Sequence, residues 1–149
     1  MALGYEYVRE RQANGAWLIR FPGIPEALTE GATVEEVEAN AVDCLLAALE
    51  GYVAAGKPLP RPAAGGEAAD RATLPSLASA KLSVYEAMRA KGWSKSELAR
   101  RLGASENSVR RLLNLGHSSR FQAIDEALAK MDLRLRIDVS AIRSKRRAA

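Results

Sequence analysis

The chain has 149 residues, enough for one ordinary domain or two very small ones. Apolar types make up 48% of it, so a packed core is available, yet no apolar run approaches the ~20 residues that span a bilayer. A net charge of +4 hides an asymmetry: residues 1–70 hold 5 Lys/Arg against 11 Asp/Glu, and residues 71–149 hold 17 against 7. An acidic half joined to a basic half predicts two modules with different partners, the basic one suited to nucleic acid and the acidic one to a basic protein. The single cysteine, Cys44, excludes an internal disulfide and, beside Leu45, Leu46 and Ala47, reads as a buried small apolar residue. No charged stretch followed by an apolar run opens the chain, so a secretory signal is not expected and a cytoplasmic location is.

In chain order, GYEYVRERQANGAWLIRFPGI predicts a β-hairpin. Tyr5 and Tyr7, then Trp17, Ile19 and Phe21, recur at period two around the turn formers Ala13, Asn14 and Gly15. Pro22 ends the second strand, and a short third strand is expected at 27–30. Gly31 is expected to permit the bend that follows. Thr33-Val-Glu-Glu36 is a capping box opening a helix over 34–55, with Val34, Val37, Ala41, Leu45, Ala48, Leu49 and Tyr52 as its core stripe and Gly56 as its stop. Residues 56–72 are rich in Pro and Gly and read as a loop or linker. The piece 72–77 is a candidate strand returning to the sheet edge. From Lys81 the period becomes 3.6 and predicts helices at 80–91, 95–102, 106–114 and 120–131. Leu133–Val139 alternates and predicts a terminal strand; 140–149 is a basic tail.

The segment WSKSELARRLGASENSVRRLLN, 93–114, carries the most chemistry. Ser94 caps a helix with Glu97 three residues on, Gly103 stops it, and Ser105 caps a second helix two residues later. Leu98, Ala99 and Leu102 face inward on the first helix, and Val109, Leu112 and Leu113 on the second. Glu106, Asn107, Arg110, Arg111 and Asn114 are left facing out. Two short helices, a glycine turn and a polar outer face predict a helix-turn-helix. Arg110 and Asn107 are the first candidates for base contacts, because arginine reads guanine and asparagine adenine; Glu106 follows, since it accepts from cytosine. Arg111 suits bases or phosphate, and Ser94, Lys95 and Ser105 lie at helix starts where phosphate binds. The lone His117 reads as a surface residue near phosphate. The competing reading is a plain helical bundle with a solvated charged face. Residues 80–132 resemble the Cro/CI-like helix-turn-helix family.

A second resemblance rests on Phe21, Pro22, Pro25, Thr29, Gly31, Thr33, Glu35 and Glu36. This run is similar to the motif of the HicB antitoxin family, departing from it at Gly23, Glu26, Ala32 and Val37. That resemblance implies a partial ribonuclease-H-like domain at 1–62, completed by the strand at 72–77, then a linker at 63–79 and a DNA-binding domain at 80–139. The fold class is thus α+β. It further implies an antitoxin that blocks a HicA-like ribonuclease toxin, itself small, basic and similar to double-stranded-RNA-binding folds, and represses its own operon at a double-stranded DNA operator. Trp17, Arg20, Glu26 and Glu30 are candidate toxin contacts, Trp17 suiting the core better. A homodimer or higher oligomer is expected, because paired half-sites multiply the specificity of one short helix, with 133–139 as a candidate seam. The alternative is a stand-alone regulator with an N-terminal ligand- or protein-sensing domain. Catalysis is not expected, nor any cofactor or metal: Glu6, Glu10, Asp43 and Glu50 do not cluster as a Mg²⁺ site requires, and no acid–base pair is evident.

Overall fold

A computed structural model describes residues 4–66 and 69–142. The chain builds four strands and five helices: β1 Gly4–Arg11, β2 Trp17–Phe21, β3 Ile24–Gly31, α1 Val34–Ala54, β4 Asp70–Thr73, α2 Ser76–Lys91, α3 Lys95–Leu102, α4 Glu106–Leu113 and α5 Phe121–Ala129. The strands form one antiparallel sheet in the order β3-β2-β1-β4. The arrangement is the expected α+β one. β1 and β2 are the expected hairpin: the Asn14 side-chain oxygen accepts from the Ala16 N–H at 3.0 Å, locking the turn.

Alternation along the strands decides which sheet face is buried. Tyr5, Tyr7, Ile19, Phe21, Ile24 and Ala27 are buried, and Val37, Ala41, Leu45, Leu49 and Val53 of α1 close over them. Thr33 Oγ1 accepts from the Glu36 N–H at 3.2 Å, and the Glu36 carboxylate reaches back to the Ala32 N–H at 2.8 Å, one residue before the expected target. Gly31 has a different use from the expected bend. Its φ is not positive, but a Cβ there would lie 2.8 Å from the Val37 backbone nitrogen, so only glycine lets strand and helix pack this closely.

Several boundaries differ from expectation. β3 starts at Ile24 and includes Pro25, which an edge strand tolerates because one side of its backbone has no ladder partner to lose. β4 ends at Thr73, and Pro75 stands at the N-cap of α2, so Ser76 and Leu77 are helical. Proline's fixed φ and absent donor suit a helix start as well as an edge. Val34, expected in the core stripe, is exposed, and Cys44 is only half-buried. Residues 133–142 carry no regular structure and join no ladder among the described residues, so the expected strand Leu133–Val139 does not form there. An alternating sequence still needs a second strand to pair with. The basic run 143–147 lies outside the described residues.

The segment after α1 is tied down from several sides. The Tyr5 hydroxyl donates to the Pro60 carbonyl (2.7 Å), the Tyr85 hydroxyl to the Lys57 carbonyl (2.7 Å), the Gly65 N–H to the Glu6 carboxylate (2.7 Å), and Arg89 to the Gly56 carbonyl. Burial, with Glu86 nearby, pushes the Tyr5 hydroxyl up to about 12, so it stays a donor at ordinary pH. The buried apolar side chains of the sheet and of the helices form one contiguous cluster.

Candidate functional site

The α3–α4 pair is assembled by caps and a short apolar face. Ser94 Oγ accepts from the Glu97 N–H at 3.1 Å and starts α3. The Glu97 carboxylate does not complete the expected box. It takes Arg100 at 2.8 Å and Arg101 at 2.7 Å instead, and those hydrogen bonds hold its carboxyl down to about 2. Gly103 then adopts φ 64°, ψ 30°, the left-handed conformation that only glycine enters freely, and the chain turns. Ser105 Oγ accepts from the Ser108 N–H at 3.1 Å and opens α4. Leu98 and Ala99 of α3 and Val109, Leu112 and Leu113 of α4 are buried, while Leu102 is half-buried.

The outward side chains of α4 fall where the periodicity places them. Glu106, Asn107, Arg110, Arg111 and Asn114 are all exposed. They are not equally unencumbered. Arg110 donates to Glu106 at 3.0 Å, and Glu106 also accepts from Ser96 of α3 at 3.0 Å. Such an exposed pair is worth no more than about 1 kcal/mol, so a base or phosphate can replace it. The Asn114 side-chain oxygen accepts from the Gly116 N–H at 3.0 Å and shapes the turn leaving the helix. Ser94 is exposed with its oxygen in the cap, Ser105 likewise, and Lys95 is half-buried beside Ser94. Trp93 packs on the core with the Arg101 guanidinium 4.1 Å above its ring. His117 is exposed, its Nδ1 3.2 Å from Ser119 Oγ.

One residue beneath this face escaped the sequence reading. Lys81 of α2 has 0% exposure, and its ammonium donates to the carbonyls of Arg111 (3.2 Å), Asn114 (2.7 Å) and His117 (2.6 Å). It uses all three donors to seal the C-terminus of α4 and the turn beyond, where the helix dipole favours a cation. Burial lowers its pKa from the ordinary lysine value. The signal was present: Lys81 interrupts the otherwise apolar stripe of Ala78, Leu82, Tyr85 and Met88, at spacings that share one helix face. The same turn is held from the sheet side, where the Glu50 carboxylate of α1 accepts from the Gly116 N–H at 3.1 Å.

The four candidate partner contacts do not form one patch. Trp17 lies on the inner sheet face with Ile19, half-buried, its ring flanked by Arg9 (5.1 Å) and Arg11 (5.0 Å). Arg20 and Glu30 belong to the outer face, where Arg20 pairs with Glu10 at 3.7 Å. Glu26 sits at the start of β3 and accepts from the Tyr52 hydroxyl of α1, a bond that lowers its pKa. The carboxylates weighed for metal chemistry are scattered: Glu6 holds Gly65, Glu10 faces Arg20, Glu50 holds Gly116, and Asp43 lies in a groove beside β3. Among the described residues no helix is long and apolar enough to cross a membrane.

Residues 6–83 match the family profile of a HicB-like antitoxin of bacterial toxin–antitoxin systems. Antitoxin HicB 2 of Photorhabdus laumondii is 38% identical over 75% of this chain and 79% of its own length. Antitoxin HicB of Pseudomonas fluorescens is 34% identical over 92% and 95%, and Antitoxin HicB of Escherichia coli K12 is 32% identical over 76% and 83%. The matched span contains β1 from Glu6 onward, the other three strands, α1 and the first half of α2, and the Pseudomonas relative extends the likeness over nearly all the remainder. The chain belongs to the HicB-like antitoxin family of bacterial toxin–antitoxin systems.

Proposed function

We propose that this antitoxin neutralises a small basic HicA-like ribonuclease through its acidic sheet half and represses its own operon through α3 and α4. It does so by binding, without catalysis of its own. The observation that carries the reading is that one chain joins a HicB-like N-terminal half to a capped helix pair with an exposed polar face. Residues 1–62, with the returning strand β4, make the toxin-binding module, and 80–139 the DNA reader. Asn107 and Arg110 contact bases, with Glu106 beside them; Arg111, Lys95, Ser94, Ser105 and Asn114 position the phosphate backbone. The opposite charges of the acidic half and a basic toxin speed and orient their association.

The reader works as a dimer. Ile137 and Val139 are 73% and 96% exposed on an alternating segment without a ladder partner among the described residues, and a second copy of that segment supplies one. A monomer by analytical ultracentrifugation at micromolar concentration contradicts this. The antitoxin role is tested by co-purification with the product of the adjacent reading frame and by rescue of host growth from that product. Absence of binding and of rescue removes it. For the repressor role, Arg110→Ala and Asn107→Ala are each expected to weaken promoter binding about tenfold or more. Unchanged affinity and sequence preference in both removes the assigned face.

A further inference from the structure

The surface through which the toxin is held was not legible in the sequence, and the fold narrows it. β3 is an edge strand: β2 pairs on one side, and among the described residues no strand pairs on the other. Edge strands present unmet backbone donors and acceptors, and proteins usually blunt them with charge, proline or cover. β3 is blunted only at its ends. Pro25 and the Tyr52–Glu26 bond close one end, and the Asn40 amide donating to the Glu30 carbonyl at 2.7 Å closes the other. Between them lies a short run centred on Leu28, which is 56% exposed. Beside this run a groove opens against α1, floored by Cys44, Ala47 and Ala48 and edged by Asp43. These helix residues recur at spacings of three and four, so their small side chains share one face of α1 beside the strand. Arg20, opposite Leu28 on β2, is already paired with Glu10, and Lys57 is the cation that acts on Glu26 at the groove's end.

We infer that the groove between β3 and α1 takes an extended, basic segment of the toxin, added as a further strand on β3. This rests on the antitoxin reading above. The open run supplies the main-chain hydrogen bonds, the small residues of α1 receive alternate side chains, and Glu26 and Asp43 attract Lys or Arg on the incoming segment. A helix is disfavoured as occupant, since its satisfied backbone leaves the edge of β3 unpaired.

Cys44, the only cysteine, is a native probe in the groove floor. Its alkylation by iodoacetamide is measured in the free chain and in the complex with the adjacent-frame product, together with amide exchange of 26–29. Alkylation is expected to slow about tenfold or more as the groove is covered, and the 26–29 amides to gain protection. Ala47→Trp, on an exposed position of α1, is expected to weaken the complex by about a hundredfold while leaving the thermal melt and promoter binding unchanged. A complex in which Cys44 reacts at the free rate, in which the 26–29 amides exchange as in the free chain, or which Ala47→Trp forms as readily as wild type overturns the groove assignment and leaves the antitoxin reading standing. Failure of the unaltered chain to form any complex overturns both.

Discussion

The sheet half and the helical half of this antitoxin share one apolar core but differ in a single buried charge. Around the sheet, large side chains do the packing: Tyr5, Tyr7, Ile19, Phe21, Ile24, Leu45 and Leu49 are all buried, and among the described residues no buried charge lies with them. In the helical half, Leu82, Leu98, Ile124 and Met131 pack in the same way beside small residues such as Ala78, Ala99 and Ala127, but Lys81 is buried among them. The first arrangement is stable in proportion to apolar area and tolerates conservative change. The second depends on geometry at one nitrogen, which fixes the C-terminal end of the helix proposed to read DNA. A buried charge with satisfied partners specifies position more than it adds stability.

Truncation at the sheet core breaks this comparison most severely. Phe21→Ala is expected to cost about 4 kcal/mol by loss of apolar contact and the cavity left behind. Because both halves share one core cluster, urea unfolding is expected to remain a single transition at a lower midpoint. Lys81→Met comes next, at about 3 kcal/mol, since three carbonyls lose their donor. Its signature is selective: promoter binding weakens more than toxin binding, read by titrating each partner against the folded variant. Equal weakening of both removes the positioning role of Lys81.

Smaller effects sharpen the contrast between the two helix starts. Thr33→Ala is expected to cost about 1 kcal/mol, because the Thr33 oxygen is half of a reciprocal cap with Glu36. Ser94→Ala is expected to cost less, since Glu97 does not reciprocate. Paired thermal melts decide the order. The smallest effect is one of pH. The Glu97 carboxyl is held down to about 2, chiefly by its bond from Arg100 and then by that from Arg101, against an ordinary glutamate value of 4.5. Its contribution is therefore complete above pH ~4.5 and fades as pH falls from there toward 2. The melting gap between wild type and Glu97→Gln is expected to shrink across that window. A constant gap contradicts the ion pairing.

Elements governed by local chemistry were readable from the sequence. The hairpin, α1 and the α3–α4 pair follow from period, caps and turn glycines, each acting within a few residues. What was not readable depends on neighbours distant in the chain. Gly31 reads as a hinge until Val37 is seen packed against it. Leu133–Val139 reads as a strand although no other described segment pairs with it. Lys81 is the clearest case. A lysine in an apolar stripe ordinarily extends its charge to water, and only the fold brings the carbonyls of Arg111, Asn114 and His117, 30, 33 and 36 residues away, around it. On the candidate interface, the residue types on α4 were legible. The Arg110–Glu106–Ser96 chain and the Asn114 turn were not, because they require the angle between two helices.

The central claim is a division of labour: partner binding in the sheet half, DNA reading on α4. Its most direct test is to titrate the Asn107→Ala/Arg110→Ala chain with labelled promoter duplex and, separately, with the adjacent-frame product. The account predicts a loss of about a hundredfold or more for the duplex from two side chains that read bases, with toxin affinity unchanged. Undiminished duplex binding, or an equal loss toward both partners, contradicts it.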